Sequence, residues 1–240
     1  MFILSGLFSS MYVIYVLAAV LPALVLLISV YRKDKVEKEP VGLIISLVIA
    51  GAAAAIFSVF LEEIGETLLS SFVNPRRPLY VVLLAFLVVA CAEEGTKFLA
   101  LKLRTWRNPQ FNYRFDGIVY SVAVSLGFAA LENIGYVFNY GLAVAPTRAI
   151  FAIPGHLSFA VFMGYFYGRA KLWAQRGDEG MKKFNMNCAY ISAVFFHGFY
   201  DACAMTQAAA ANVLFLGFVL IMFITVFVTI RREAKHDMPV

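Results

Sequence analysis

Glu93, Glu94, Glu132, Asp201, His156 and His197 sit inside stretches otherwise built from Leu, Val, Ala and Phe. An ionisable side chain at mid-bilayer depth costs about 2.5–3.5 kcal/mol even on the lenient insertion scale. Six of them in one small chain therefore ask for a shared cause, and one polar site fed by several helices is the cheapest. Carboxylates and imidazoles around a wet pocket suit either water activation for hydrolysis or a proton relay for transport. Glu93 and Lys97 are four residues apart, on one helical face, where they can neutralise each other. Glu94 has no partner near it in sequence, which makes it a candidate general base or acid.

His197 and Asp201 also lie four apart, one above the other on a helix. The carboxylate can orient the imidazole, or both can ligate a divalent metal. His156 follows Pro154 and Gly155, which remove a helix donor and loosen the backbone, so a kink with room for water or substrate is expected there. Glu132 and Asn133 lie nearer the outer end of their segment and read as support. Glu93, Glu94, His156, His197 and Asp201 are all of metal-ligating type, zinc being the natural ion for such a set, but no spacing among them demands one. No phosphate-binding glycine loop, GxSxG elbow or HExxH helix is present, and Ser121, Ser125 and Ser158 lack the context of a serine nucleophile.

The elements that must position these residues are membrane spans. The 240-residue chain is 62% hydrophobic and 15% charged, with a mean hydropathy of +0.79, too apolar for one water-soluble core to hide. Seven apolar stretches, about 11–31, 41–61, 79–101, 117–138, 149–167, 188–205 and 212–230, each approach or exceed the ~17–25 residues that cross a bilayer. The expected fold is an all-α polytopic transmembrane bundle forming one domain over 1–240, with its catalytic core at about 79–205. Sixteen of the 20 Lys and Arg residues fall in the loops on one side, including Arg32, Lys102, Arg176 and Arg231, whereas Arg76, Arg77 and Arg148 fall on the other. By the positive-inside rule the N-terminus is then outside and the C-terminus cytoplasmic. The net charge of +5 is explained by those loops and gives no reason to expect nucleic acid as a partner. The first span is expected to be retained, since no charged leader region or cleavage site precedes it. Cys91, Cys188 and Cys203 have no metal-type spacing and read as packing residues. Gly51 to Ala55, and Gly164 with Gly168, read as faces for close helix contact. Leu61 to Leu69 reads as a short helix lying on the outer surface, with Glu62 and Glu63 as a solvated pair outside the chemistry.

Glu93-Glu94-Gly95-Thr96-Lys97 forms an EExxK motif, Phe128 to Glu132 an FxxxE motif and His197 to Asp201 an HxxxD motif, in that order on successive segments. With Arg148 and Pro154-x-His156 this ordered set, over about Leu79 to Asp201, resembles the PrsW family of bacterial intramembrane proteases, distant relatives of the type II CAAX prenyl endopeptidases and bacteriocin-immunity proteins. The resemblance implies a multi-pass protease of the bacterial cytoplasmic membrane that makes the first, outward-side cut in a single-span anti-sigma factor. It implies Glu93, Glu94, His156 and His197 as leading active-site residues, with Lys97, Glu132, Asn133 and Asp201 in support, and leaves both a metal-dependent and a glutamate-dependent mechanism open. A proton-coupled transporter and a noncatalytic scaffold for a partner helix are the rival readings of the same polar residues.

Overall fold

A computed structural model describes residues 2–206 and 208–240, with side chains from Met11 onward. Among the described residues the chain is a bundle of seven long helices without a strand. We number them α1 (Phe2–Tyr31), α2 (Val41–Phe72), α3 (Pro78–Thr105), α4 (Asp116–Tyr140), α5 (Leu142–Gln175), α6 (Glu179–Met205) and α7 (Ala209–Lys235). Six of the seven are long and apolar enough to cross a membrane. The exception is α6, whose first turns carry Glu179, Lys182 and Lys183 and whose later turns carry His197 and Asp201. The helix that fails on composition is thus one that brings polar groups into the bundle. The protein is a multi-pass membrane protein.

Helix α4 is buried along most of its length and lies at the centre, packed by α1, α2 and α5, whereas α1 and α7 expose most of their surface. Small residues set the approach of the central helices, as the sequence led one to expect. A Cβ on Gly127 would lie 2.2 Å from the Val48 carbonyl oxygen, and one on Gly51 would lie 1.9 Å from that of Val124, so α2 and α4 cross backbone to backbone. Gly164 and Gly168 seat α5 on α4 in the same way.

Two helices are not α-helical throughout. α3 passes through a π-helical stretch at Leu84–Ala90 before the α-helical run Cys91–Thr105, and α5 passes through a second at Arg148–Ala152 before the run Ile153–Gln175. Pro154 stands in the first turn of that latter run, and because the helix continues before it, its missing N–H leaves a carbonyl of the preceding turn without its helical donor. The loosened backbone expected near His156 therefore takes the form of a widened turn placed just ahead of the proline.

One expectation fails. Leu61 to Leu69 is not a separate surface helix but the continuation of α2, whose 32 residues run unbroken to Phe72. At 1.5 Å per residue that is about 48 Å, well beyond a hydrocarbon core of about 30 Å. The alternation of acidic and apolar residues is equally compatible with a helix that simply projects, because periodicity reports a helix and not its direction.

Candidate active site

Helices α3, α4, α5 and α6 bring the buried polar residues together. The centre is the ammonium of Lys97, which donates to Glu93 Oε2 at 2.9 Å, to Glu94 Oε1 at 2.8 Å and to His156 Nδ1 at 3.2 Å. Three donors thus meet three acceptors. The Phe128 ring closes one side, its centroid 3.9 Å from Nζ, a cation–π contact strengthened by the burial of Lys97. Because an ammonium can only donate, His156 Nδ1 must accept. Its proton therefore sits on Nε2, which faces Glu132 Oε2 at 2.9 Å. Ser125 Oγ donates to the His156 carbonyl oxygen at 3.0 Å, tying α5 to α4 beside the site.

On the other flank Glu94 Oε1 also meets His197 Nδ1 at 2.9 Å, and His197 Nε2 meets Asp201 Oδ2 at 3.2 Å. The imidazole is held between two carboxylates and stacks on Phe159, with centroids 4.7 Å apart. With both carboxylates ionised, both ring nitrogens donate and the ring is an imidazolium. A continuous polar chain therefore runs Arg148, Glu132, His156, Lys97, Glu93 and Glu94, His197, Asp201.

Exposure along this chain is graded. The side chains of Glu94 and Lys97 are 0% and 1% exposed and that of Glu93 8%, rising to 16% at Asp201 and 23% at Glu132. Asp201 and Glu132 lie toward the ends of α6 and α4 remote from the basic loops, so the site opens to that side.

Three sequence expectations need correction. Glu94 is not left without a partner: its Oε1 is bonded to both Lys97 and His197, and only Oε2 is buried without a hydrogen bond. Asn133 touches none of the reactive groups and reaches the polar chain only through Arg148. Its amide donates to the Ala19 carbonyl oxygen of α1 and accepts from Arg148 Nε at 2.5 Å, so it fastens α1 and α5 to α4. Glu62 and Glu63 are not a matched solvated pair. Glu63 is exposed, but Glu62 is half-buried and within electrostatic reach of Glu93, Glu132 and His197.

Arg148, placed among outer-loop residues by the charge pattern, instead turns inward. Its Nη2 is 2.9 Å from Glu132 Oε2, and its guanidinium covers the Tyr136 ring at 3.6 Å. A spacing of eight residues, about two turns, from Arg148 to His156 was the available signal. For Glu62 the signal was the buried stripe Leu47, Gly51, Ala54, Ala55, Ser58 on α2, which at helical spacing reaches Glu62 next.

A scan of family models matches residues 39–230 to one described as PrsW family intramembrane metalloprotease. The chain belongs to the PrsW family. Curated relatives named Protease PrsW include those of Oceanobacillus iheyensis, 34% identical over 77% of this chain and 80% of the relative, Clostridioides difficile, 30% identical over 86% of each, and Bacillus subtilis, 30% identical over 77% and 79%. No solved structure matches. This PrsW protein is accordingly a membrane-embedded peptide hydrolase.

The family description includes a metal, and the site allows a test of fit. Glu93, Glu94 and His156 each offer a ligand atom, all within 4.8 Å of one another, a donor set suitable in kind. Yet the Lys97 ammonium is hydrogen-bonded to these same three residues. A metal on all three would have to displace that buried cation or crowd in beside its positive charge. In this arrangement the residues do not fit a metal, because the positive charge at that place belongs to the chain.

Proposed function

We propose that this PrsW protein hydrolyses a peptide bond of a single-span membrane protein of the anti-sigma-factor type, near the outward face of the bacterial cytoplasmic membrane, with Glu93 activating the water. The observation that carries this reading is the three-way bond of Lys97 to Glu93, Glu94 and His156. It gives the two glutamates different work. Glu94 is fully enclosed and accepts from both Lys97 and His197, so it anchors. Glu93 binds Lys97 through one oxygen and is the more accessible of the two, so it can receive a proton from water as the oxygen attacks the scissile carbonyl.

As Glu93 takes the proton its hold on Lys97 weakens, which frees one Lys97 N–H for the developing oxyanion, while His197, both of its nitrogens bonded to carboxylates, acts through its field in a setting walled by Phe128 and Phe159. The proton held by Glu93 passes to the departing amine. Glu132 and Asp201 hold the two imidazoles in orientation, and Arg148 holds Glu132. The outward position rests on the graded exposure together with the positive-inside assignment, N-terminus outside and C-terminus cytoplasmic. The polar chain is also what a proton relay would need, but membership of a protease family favours hydrolysis.

The test is cleavage of a panel of single-span anti-sigma factors by purified protein in detergent, with products mapped by mass spectrometry. Cleavage toward the outward end of the substrate span, lost in Glu93→Gln and unchanged to within about twofold after exhaustive chelation well below the unfolding temperature, is the expected result. Activity lost on chelation and restored by zinc would overturn the metal-independent mechanism. Failure to cut any member of the panel would overturn the substrate class.

A further inference from the structure

A second group of buried carboxylates lies at the opposite end of the bundle, where the basic loops gather. Asp34 and Glu39 come from the connection between α1 and α2, and Asp116 from the first turn of α4. Each offers one oxygen, and the three lie within 4.8 Å of one another. Their existing partners are all neutral. Asp116 Oδ2 accepts from the backbone N–H groups of Asn112 and Tyr113 at 3.0 and 2.7 Å, and Glu39 Oε2 accepts from the Tyr120 hydroxyl at 2.5 Å. Asp34, only 1% exposed, has an oxygen, Oδ2, with no hydrogen-bond partner at all.

The nearby basic groups answer this charge only through their field, as Lys38 does at Asp34, and not by bonding to the carboxylates. Lys38 Nζ donates to the backbone oxygens of Tyr31 and Asp34. Arg114 is engaged with Glu233 and the His236 carbonyl oxygen. Among the described residues no Lys or Arg side chain hydrogen-bonds to any of the three carboxylates. A buried carboxylate oxygen without a donor, beside two further carboxylates, is a strongly unfavourable arrangement unless a positive charge completes it or a proton neutralises it.

We propose that Asp34, Glu39 and Asp116 bind one hard divalent cation of the magnesium or calcium type. The donors are oxygen only, with no imidazole or thiolate to favour zinc. The three oxygens lie no farther apart than two oxygens on opposite sides of a calcium ion, each at about 2.4 Å, would stand. The cation ties together segments distant in sequence. Asp34 and Glu39 bring the α1–α2 connection. Asp116 brings α4 and, through Asn112 and Tyr113, the α3–α4 loop. The C-terminal tail fastens to that same loop, with Phe115 N–H donating to Asp237 Oδ1 at 2.9 Å, Arg114 N–H to the Met238 oxygen at 3.0 Å and Val240 N–H to the Asn112 oxygen at 2.9 Å. The ion is a clasp on the fold, remote from the protease chemistry.

The test is thermal unfolding of the full-length protein in detergent at pH 7.5, stripped of divalent ions and titrated with MgCl2 or CaCl2 against NaCl of matched ionic strength. Wild type should gain about 5 °C in Tm, saturably, with either ion or both, and equilibrium dialysis should find one ion per chain. Asp34→Asn should remove both the shift and the bound ion, while its ion-free Tm equals or exceeds that of ion-free wild type, because one repelling charge is gone. Glu39→Gln serves as the second variant should Asp34→Asn fail to fold, and the Glu93→Gln Glu94→Gln double variant should keep the shift. The proposal is overturned if wild type shows no ion-specific shift, as when Glu39 and Asp116 share a proton instead. It is also overturned if Asp34→Asn responds like wild type, or if the double variant loses the response.

Discussion

Two buried carboxylate clusters stand in this bundle, and each meets its charge in a different way. Glu93 and Glu94 lie deep among apolar helices and close around Lys97, a cation four and three residues along their own helix. Asp34, Glu39 and Asp116 lie at the end of the bundle, with no Lys or Arg side chain hydrogen-bonded to them among the described residues. Depth accounts for the difference. An ion drawn from water must cross low-dielectric material to reach the first cluster, so a covalently attached cation is the dependable solution there. The second cluster borders the aqueous side, where an exchangeable ion arrives freely. A built-in cation fixes geometry permanently and an exchangeable one fixes it conditionally, which suits a reaction centre and a structural clasp respectively.

Removing the built-in cation should have the largest effect. Lys97→Met leaves two carboxylates and an imidazole nitrogen facing one another, and a broken buried ion pair costs about 3–5 kcal/mol. In ion-free buffer, thermal unfolding should show a large fall in Tm, with cleavage abolished, against no loss from Asp34→Asn. A Lys97→Met protein as stable as wild type would end the comparison. Next is Glu93→Gln, which keeps an acceptor for Lys97 but cannot take a proton. Cleavage should fall by about 10²–10⁴ with Tm nearly unchanged, which separates chemistry from charge balance.

A smaller effect tests His197 and Asp201 as a unit. If Asp201 acts only by orienting His197, Asp201→Asn should slow cleavage less than His197→Ala, and the double variant should be little slower than His197→Ala alone. Additive losses would show that Asp201 touches the reaction by another route. The smallest separates Glu62 from Glu63. Glu62→Gln should change the rate by about tenfold, equivalent to about 1.4 kcal/mol in the barrier, by altering the field at Glu93. Glu63→Gln should leave the rate unchanged. Equal effects would return both residues to the interface.

The fold was legible where one physical cause dominates. Apolar length marked the spans, and Gly51 and Gly164 marked close crossings. Motif spacing gathered Glu93, Lys97, His197 and Asp201 because residues four apart share a face whatever the tertiary structure. What could not be read was direction. Arg148 looks like a loop charge until α5 is seen to widen and turn it toward Glu132, and Asn133 beside Glu132 points 100° away, to α1. Glu94 seemed unpartnered because Lys97, three residues on, was matched to Glu93 alone, and because its other partner, His197, lies 103 residues away. The Asp34 cluster escaped notice because its members lie in loops rich in Lys and Arg, where one more acidic residue looks like ordinary solvated charge.

The π-helical stretches in α3 and α5 bear on how this family's helices can tolerate change in length. Such a stretch holds one more residue than the α-helix it interrupts, and each residue of an α-helix turns the chain by about 100°. Deleting one residue between Leu84 and Ala90 would let the stretch relax to regular α-helix while leaving Glu93, Glu94 and Lys97 in phase with one another. The outer segment Pro78–Leu83 would keep its facing toward them, because the widened turn had held the extra residue within the same rotation. The widened turns are thus slack in the helix, places where one residue can be lost without turning the mouth of the enzyme against its reactive core.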